Sequence, residues 1–236
     1  MTVEQTTTDC AKVIAEIIAT LPEGVRLTAV SKYHPEQSIM AAYAAGQRIF
    51  GESRVQELQR KYEALPKDIQ WHFIGHLQTN KVKYIAPYVS LIHAVDTPRL
   101  LEEISRQGIK AGRKIPCLLQ LHVAQEETKY GFSIAEATEF LSGGAWQQME
   151  GAEIHGIMCM ASNVDDDEQI AREFETARRF FLQARNTWFS DRPSFRECSW
   201  GMSDDYPIAV AHGSTLVRIG SKIFGQRVAQ QTATDA

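Results

Sequence analysis

VRLTAVSKYHP, residues 25–35, is a short apolar run that ends in Ser31-Lys32 and stops at Pro35. An apolar run of that length bounded by a breaker reads as a buried β-strand. Lys32 then sits where the strand runs out, a poor place for packing. A partly desolvated ammonium has a lowered pKa, and a lysine with a lowered pKa is a nucleophilic amine that forms Schiff bases with aldehydes. The alternative is an ordinary lysine reaching from a strand end into solvent.

Outward from this stretch the chain alternates. An amphipathic helix over 4–20 precedes it, with Val13, Ile14, Ile17 and Ile18 on one face, and Pro22 and Gly24 end that helix. Further strands are expected at Gln47–Phe50, Ile69–Ile74, Val89–Ala94, Ile115–Val123, Ile154–Met158, Phe195–Ser199 and Thr215–Ile219, each followed by a helical stretch. One such helix starts at about Gln78, another at Asp96-Thr97-Pro98 and a third at Asp165–Asp167, where acidic residues suit the helix dipole. Strict β and α alternation argues for a parallel sheet. Eight units in 236 residues fit a single (β/α)8 TIM barrel with an extra N-terminal helix, one α/β domain over 1–236 with a frayed tail from about 228. On pattern alone a doubly wound open sheet is the alternative. In a barrel the C-terminal strand ends carry the chemistry. Lys32, Glu52, His76, Met160, Ser199 and Ser221 all fall there.

Apolar content of 44% and charged content of 23% belong to an ordinary globular protein, and a net charge of −4 gives no basic footprint for nucleic acid. No apolar run is long enough to span a membrane, and the N-terminus lacks a signal-peptide pattern. The expectation is a cytoplasmic protein. Cys10, Cys117, Cys159 and Cys198 form no metal-like spacing and read as buried thiols.

The last strand, GSTLVRIGSKIFG (213–225), is the second informative stretch. Arg218 lies near its end, and an arginine inside a barrel needs a partner, either an interior carboxylate or a ligand atom. Gly220-Ser221 follows, and strand 7 is followed by Ser199-Trp-Gly-Met-Ser203. Loops after strands 7 and 8 commonly bind phosphate in barrels, although tight turns explain each loop alone. His72, Ile74 and His76 share one side of strand 3. No third ligand accompanies the two histidines, so His76 reads as lining a site. His93, His122 and His155 read as hydrogen-bonded core histidines.

A rim lysine facing a phosphate cradle suggests pyridoxal 5′-phosphate (PLP), which has an aldehyde at one end and a phosphate at the other. The sequence resembles the YggS/PROSC family of pyridoxal phosphate homeostasis proteins. The matching stretches are AVSK (29–32), FGES-RVQE (50–57), WHFIGHLQTNKVK (71–83), LIHAVD (91–96), KYGF (129–132), GIMCM (156–160), SWGMSDDY (199–206) and GSTLVRIGSKIFG (213–225). The resemblance implies a barrel of the alanine-racemase type with Lys32 carrying the cofactor as a Schiff base. It implies that Arg218 faces the pyridine nitrogen and that Gly220, Ser221, Ser199 and Ser203 contact the phosphate. It also places Asn80, Met160 and His76 along the cofactor cavity. Ser53 stands where the family commonly has asparagine, so that contact is not carried over. Cys198 and Trp200 replace commoner aliphatic residues beneath the phosphate loop.

A permanently charged arginine beside the pyridine nitrogen disfavours its protonation. That argues against transamination and decarboxylation. It leaves racemisation or plain cofactor binding. The first expectation is a binding protein, a monomer that holds PLP without catalytic turnover and has PLP-dependent apoenzymes as its partners. The alternative is an amino-acid racemase using released Lys32 with a second acid–base group such as His76. A cofactor-free Schiff-base aldolase is a remote third reading.

Overall fold

In the computed structural model, which describes residues 3–124 and 130–225, eight parallel strands alternate with helices. The strands are β1 (Arg26–Val30), β2 (Ile49–Glu52), β3 (Gln70–Phe73), β4 (Leu91–Val95), β5 (Ile115–Leu121), β6 (Ala152–Cys159), β7 (Glu197–Ser199) and β8 (Leu216–Ile219). The helices are α1 (Val3–Thr20), α2 (Glu36–Ala44), α3 (Val55–Ala64), α4 (Val82–Ile85), α5 (Pro98–Lys110), α6 (Ile134–Gly143), α7 (Asp167–Thr187), α8 (Tyr206–Ala211) and α9 (Ser221–Phe224). None of the described helices is long and apolar enough to cross a membrane.

The sheet order is β7-β6-β5-β4-β3-β2-β1-β8, so the first strand pairs with the last and the open doubly wound sheet is excluded. The β7–β8 seam has no regular ladder. It is closed by single bonds instead: Thr215 N–H donates to the Cys198 carbonyl at 2.9 Å, and Cys198 N–H donates to Thr215 Oγ1 at 2.8 Å. Ser214 Oγ donates to the Trp200 carbonyl at 2.7 Å. At the N-terminal end of the barrel Arg26 reaches past β8 to pair with Glu197 on β7 at 2.6 Å. The result is a nearly closed TIM barrel.

Local sequence explains the helix starts. Thr97 caps α5 by accepting from Leu100 N–H, with Pro98 at the first helical position, where its missing N–H costs nothing. Ser133 and Glu136 form a reciprocal capping box on α6, and Asp166 caps α7 through Gln169 N–H. The expected helix from Gln78 is only a 3-10 turn over Thr79–Lys81 and the four residues of α4.

The main core lies between strands and helices, where residues such as Leu27, Phe50, Trp71, Ile92, Ile157 and Phe174 are buried. α1 adds Cys10, Ile14 and Ile17 and packs on α2 and α9. A separate apolar cluster of Leu91, Leu118, Met158 and Leu216 fills the barrel interior. All four cysteines are buried and unbridged, and burial pushes the Cys159 thiol up to about 12.

One strand boundary moved for a physical reason. β2 runs two residues beyond the expected Gln47–Phe50, through Gly51 and Glu52. Gly51 faces the interior, where an added Cβ would meet Thr28 Cγ2 at 3.0 Å and Ile74 Cδ1 at 3.3 Å. Glu52 is fully buried, made tolerable by Lys61 from α3.

Candidate functional site

Lys32 follows β1 at the mouth of the barrel and lines a cavity of about 270 Å³. Arg218 and Gly220 from β8 and its loop, Ser221 from the start of α9, Ser203 from the loop after β7, and Met160 beyond β6 line the same cavity. Ser221 Oγ donates to Ser203 Oγ at 2.9 Å, so two hydroxyls from adjacent loops meet on one wall. Loop 7 is held in shape by Asp205, which accepts from Met202 N–H at 2.5 Å. Loop 7 is tied to β8 by the Arg218 N–H to Gly201 carbonyl bond at 2.9 Å. Gly220 brings its backbone close to the lysine strand, since a Cβ there would lie 2.9 Å from the Val30 carbonyl. His34 lines the cavity too, with its ring against Phe224 at 5.1 Å.

Beneath this cavity a polar chain crosses the barrel. Arg218 is buried and donates to the Ser199 carbonyl and hydroxyl, both at 2.6 Å, and to the Cys159 carbonyl at 2.9 Å. Its partners are neutral oxygens rather than a carboxylate. Burial lowers its pKa, but a guanidinium remains charged in a protein. Ser199 Oγ meets His93 Nδ1 at 2.9 Å, and His93 Nε2 meets His72 Nδ1 at 2.9 Å. Thr28 Oγ1 lies 3.4 Å from the same His72 nitrogen. Burial pushes His72 down to about 3 and His93 well below its ordinary value. Both rings are therefore neutral.

On the other side of Lys32 a charged cluster is buried. Lys61 is fully buried and donates to Glu52 Oε1 at 2.8 Å, Glu57 Oε1 at 2.7 Å and the Ser31 carbonyl at 2.9 Å. Burial raises Glu52 to about 7 against the opposing charge of Lys61.

Comparison with known proteins places this arrangement. The family model for the alanine racemase N-terminal domain matches residues 11–228. The pyridoxal phosphate homeostasis protein of Synechocystis is 36% identical over 92% of this chain and 98% of its own. That of Aquifex aeolicus is 34% identical over 86% and 87%. The chain belongs to this family. The solved structure of PipY from Synechococcus elongatus with PLP bound is 35% identical, with a TM-score of 0.82 over 92% of this chain and 100% of that one. Alanine racemase from Bartonella henselae, 17% identical with a TM-score of 0.68, shares the fold over 97% of this chain and 61% of its own.

In this member of the pyridoxal phosphate homeostasis family, the sequence-expected residues divide among three places. Lys32, Arg218, Gly220, Ser221, Ser203 and Met160 share the Lys32 cavity. Ser199 lies below it, fully buried and engaged by Arg218 and His93, so its hydroxyl is already committed. His76 and Asn80 line a neighbouring cavity of about 990 Å³, away from Lys32. There His76 pairs with Asp96 at 2.8 Å and stacks on Tyr130 at 4.2 Å. Ser53 lines a smaller cleft with Arg54 and Lys81. Cys198 and Trp200 are both buried beneath loop 7, and Trp200 Nε1 has no hydrogen-bond partner among the described residues. Lys129 of the KYGF stretch and the tail from 228 lie outside the described residues. Sequence reasoning missed the Lys61 cluster, because a lysine at an ordinary helix position carries no mark of burial.

Proposed function

We propose that this chain binds PLP in the Lys32 cavity and acts in PLP homeostasis as a holder of the cofactor, without turning over a substrate. The observation that carries the reading is the Lys32 amine and the Ser203–Ser221 hydroxyl pair on the walls of one small cavity. An amine and a set of anion-binding hydroxyls are the two donor chemistries this cofactor requires. The bound group supplies an aldehyde that condenses with an amine and a phosphate that takes hydrogen bonds. The PLP-bound PipY structure, at 35% identity over the whole of that chain, supports the reading.

Each residue then has a role. Lys32 holds the cofactor covalently. Ser203 and Ser221 donate to the phosphate, and the missing side chain of Gly220 lets the loop that leads into Ser221 lie against the Val30 strand, beside Lys32. Arg218 holds its positive charge at the cavity floor, so a ring nitrogen set against it stays unprotonated and the ring stays a weak electron sink. Racemisation requires acid–base groups on both faces. His76, the expected partner, is in the neighbouring cavity and tied to Asp96. This favours the holder over the racemase. Under the same reading the chain is a single-domain cytoplasmic monomer that passes PLP to PLP-dependent apoenzymes.

The test is the visible spectrum of the purified protein with PLP, before and after borohydride, followed by peptide mass mapping. A band abolished by borohydride with added cofactor mass on Lys32 is expected. A protein that PLP cannot colour overturns the reading. A panel of amino acids in deuterated water separates holder from racemase: α-proton exchange dependent on Lys32 overturns the absence of turnover.

A further inference from the structure

The backbone on both sides of Lys32 is gripped by one buried cluster. Before it, Ser31 Oγ donates to Glu52 Oε1 at 2.6 Å, and the Ser31 carbonyl accepts from Lys61 at 2.9 Å. After it, Tyr33 N–H donates to Glu57 Oε1 at 2.8 Å. Glu57 and Lys61 stand one turn apart on α3 and pair at 2.7 Å. Lys61 has three ammonium hydrogens and three acceptors: Ser31 O, Glu52 and Glu57.

Tyr33 has φ of +68°, the one non-glycine residue in the left-handed region among the described residues. A bulky side chain is rarely found there, and such strain persists where the surroundings over-determine it. Glu57 supplies that constraint at the amide, and Arg54 lies over the Tyr33 ring at 4.9 Å. A buried ion cluster adds little stability over an apolar core of the same shape. Its presence is explained by what it holds, and what it holds is the turn that carries Lys32.

We propose that Glu52, Glu57 and Lys61 are positioning residues for Lys32: through Ser31 and Tyr33 they fix the direction in which its amine enters the cavity, and with it the amine's reactivity. The proposal deepens the functional reading and rests on Lys32 as the cofactor-bearing residue.

The test uses Glu57→Ala, which removes the Tyr33 acceptor, and Glu57→Gln, which restores a neutral one. Ser31→Ala is the second route should Glu57→Ala fail to fold, judged by circular dichroism. The first readout needs no cofactor. Trace labelling of the apoprotein with acetic anhydride, read by mass spectrometry, gives the reactivity of Lys32 relative to exposed Lys12. The second is the rate of PLP attachment. The third is the affinity for pyridoxine 5′-phosphate, which has the phosphate but no aldehyde. Misdirection of an amine by about 1 Å changes reaction rates by about tenfold or more. Changes of that size are expected in the first two readouts with Glu57→Ala, with recovery in Glu57→Gln and a change of less than about twofold in the third. Unchanged Lys32 labelling in folded Glu57→Ala overturns the proposal, as does an equal loss in all three readouts. Wild-type protein that fails to attach PLP overturns the functional reading instead, and the labelling readout still decides the positioning.

Discussion

Arg218 gives two hydrogen bonds to Ser199, one to its carbonyl and one to its hydroxyl. A guanidinium can only donate, so Ser199 Oγ accepts from it and its own hydrogen is available to His93 Nδ1. With that hydrogen directed at Nδ1, the arrangement expected here, His93 carries its proton on Nε2 and donates to His72 Nδ1. The chain then runs in one direction across the barrel, from Ser199 to His72. Ser199→Ala leaves His93 Nδ1 without its donor and removes a bond to a charged group, a loss of about 1.5–3 kcal/mol. Urea unfolding measures that loss. Nitrogen NMR of the wild-type protein shows an unprotonated His93 Nδ1, and a protonated one contradicts the chain.

Acid weakens the barrel through these same rings. His72, ordinarily near 6.5, falls to about 3 in the folded protein. The unfolded chain takes up a proton below pH 6.5 that the folded one refuses, so stability falls as pH drops through that range. Each such histidine contributes a slope of about 1.4 kcal/mol per pH unit. His72→Gln removes the one that falls to about 3, and its unfolding free energy between about pH 6 and 4 declines less steeply by that amount. Parallel profiles for the two proteins exclude the effect.

Glu52 works in the opposite sense. Its folded value of about 7 lies above the ordinary 4.5. The folded protein therefore holds a proton that the unfolded chain has lost, and the stability this confers is complete below pH 4.5 and lost as pH rises through 7. Glu52→Gln lacks that dependence. Relative to wild type the variant gains about 3 kcal/mol between pH 4.5 and pH 8, measured by denaturant unfolding of the apoprotein at each pH.

Among the described residues the hydroxyls of Ser203 and Ser221 pair with each other, at 2.9 Å. Replacing either with alanine removes one donor to a charged phosphate and weakens PLP binding by about tenfold. Pyridoxal, which lacks the phosphate, binds the variants within about twofold of wild type, since hydrogen bonding there is uninvolved. Equal losses for both compounds place the hydroxyls elsewhere in the site.

Much of this architecture was legible in the sequence, because buried parallel strands are continuous apolar runs and their helices carry plain caps. Thr97-Pro98 and Asp166 start helices as their chemistry dictates. The Lys32 and Arg218 strands were legible for the same reason: each is an apolar run with a charge near its end. What was not legible depends on closure. His72 and His93 are twenty-one residues apart in sequence and become partners only when β3 and β4 pair. Glu52 reads as the polar end of a strand until Lys61 is seen fully buried beside it. His76 and Asn80 follow the apolar run of β3 closely, yet the 3-10 turn over Thr79–Lys81 leads that segment into a different cavity.

The β7–β8 seam has a further consequence. Seven junctions of the barrel are laddered, and this one is stitched by isolated bonds from Ser214, Thr215 and Arg218. Ser203 leaves from one edge of that gap and Ser221 from the other. An anion gripping both hydroxyls acts as a hoop around a cask whose last joint is loose. On the proposed reading cargo and mechanical integrity are a single variable: amide hydrogens along this joint are expected to exchange first without PLP and to slow when it is added. At a hundredfold excess over Kd the added stability is about 2.7 kcal/mol, so the melting temperature reports how full the protein is.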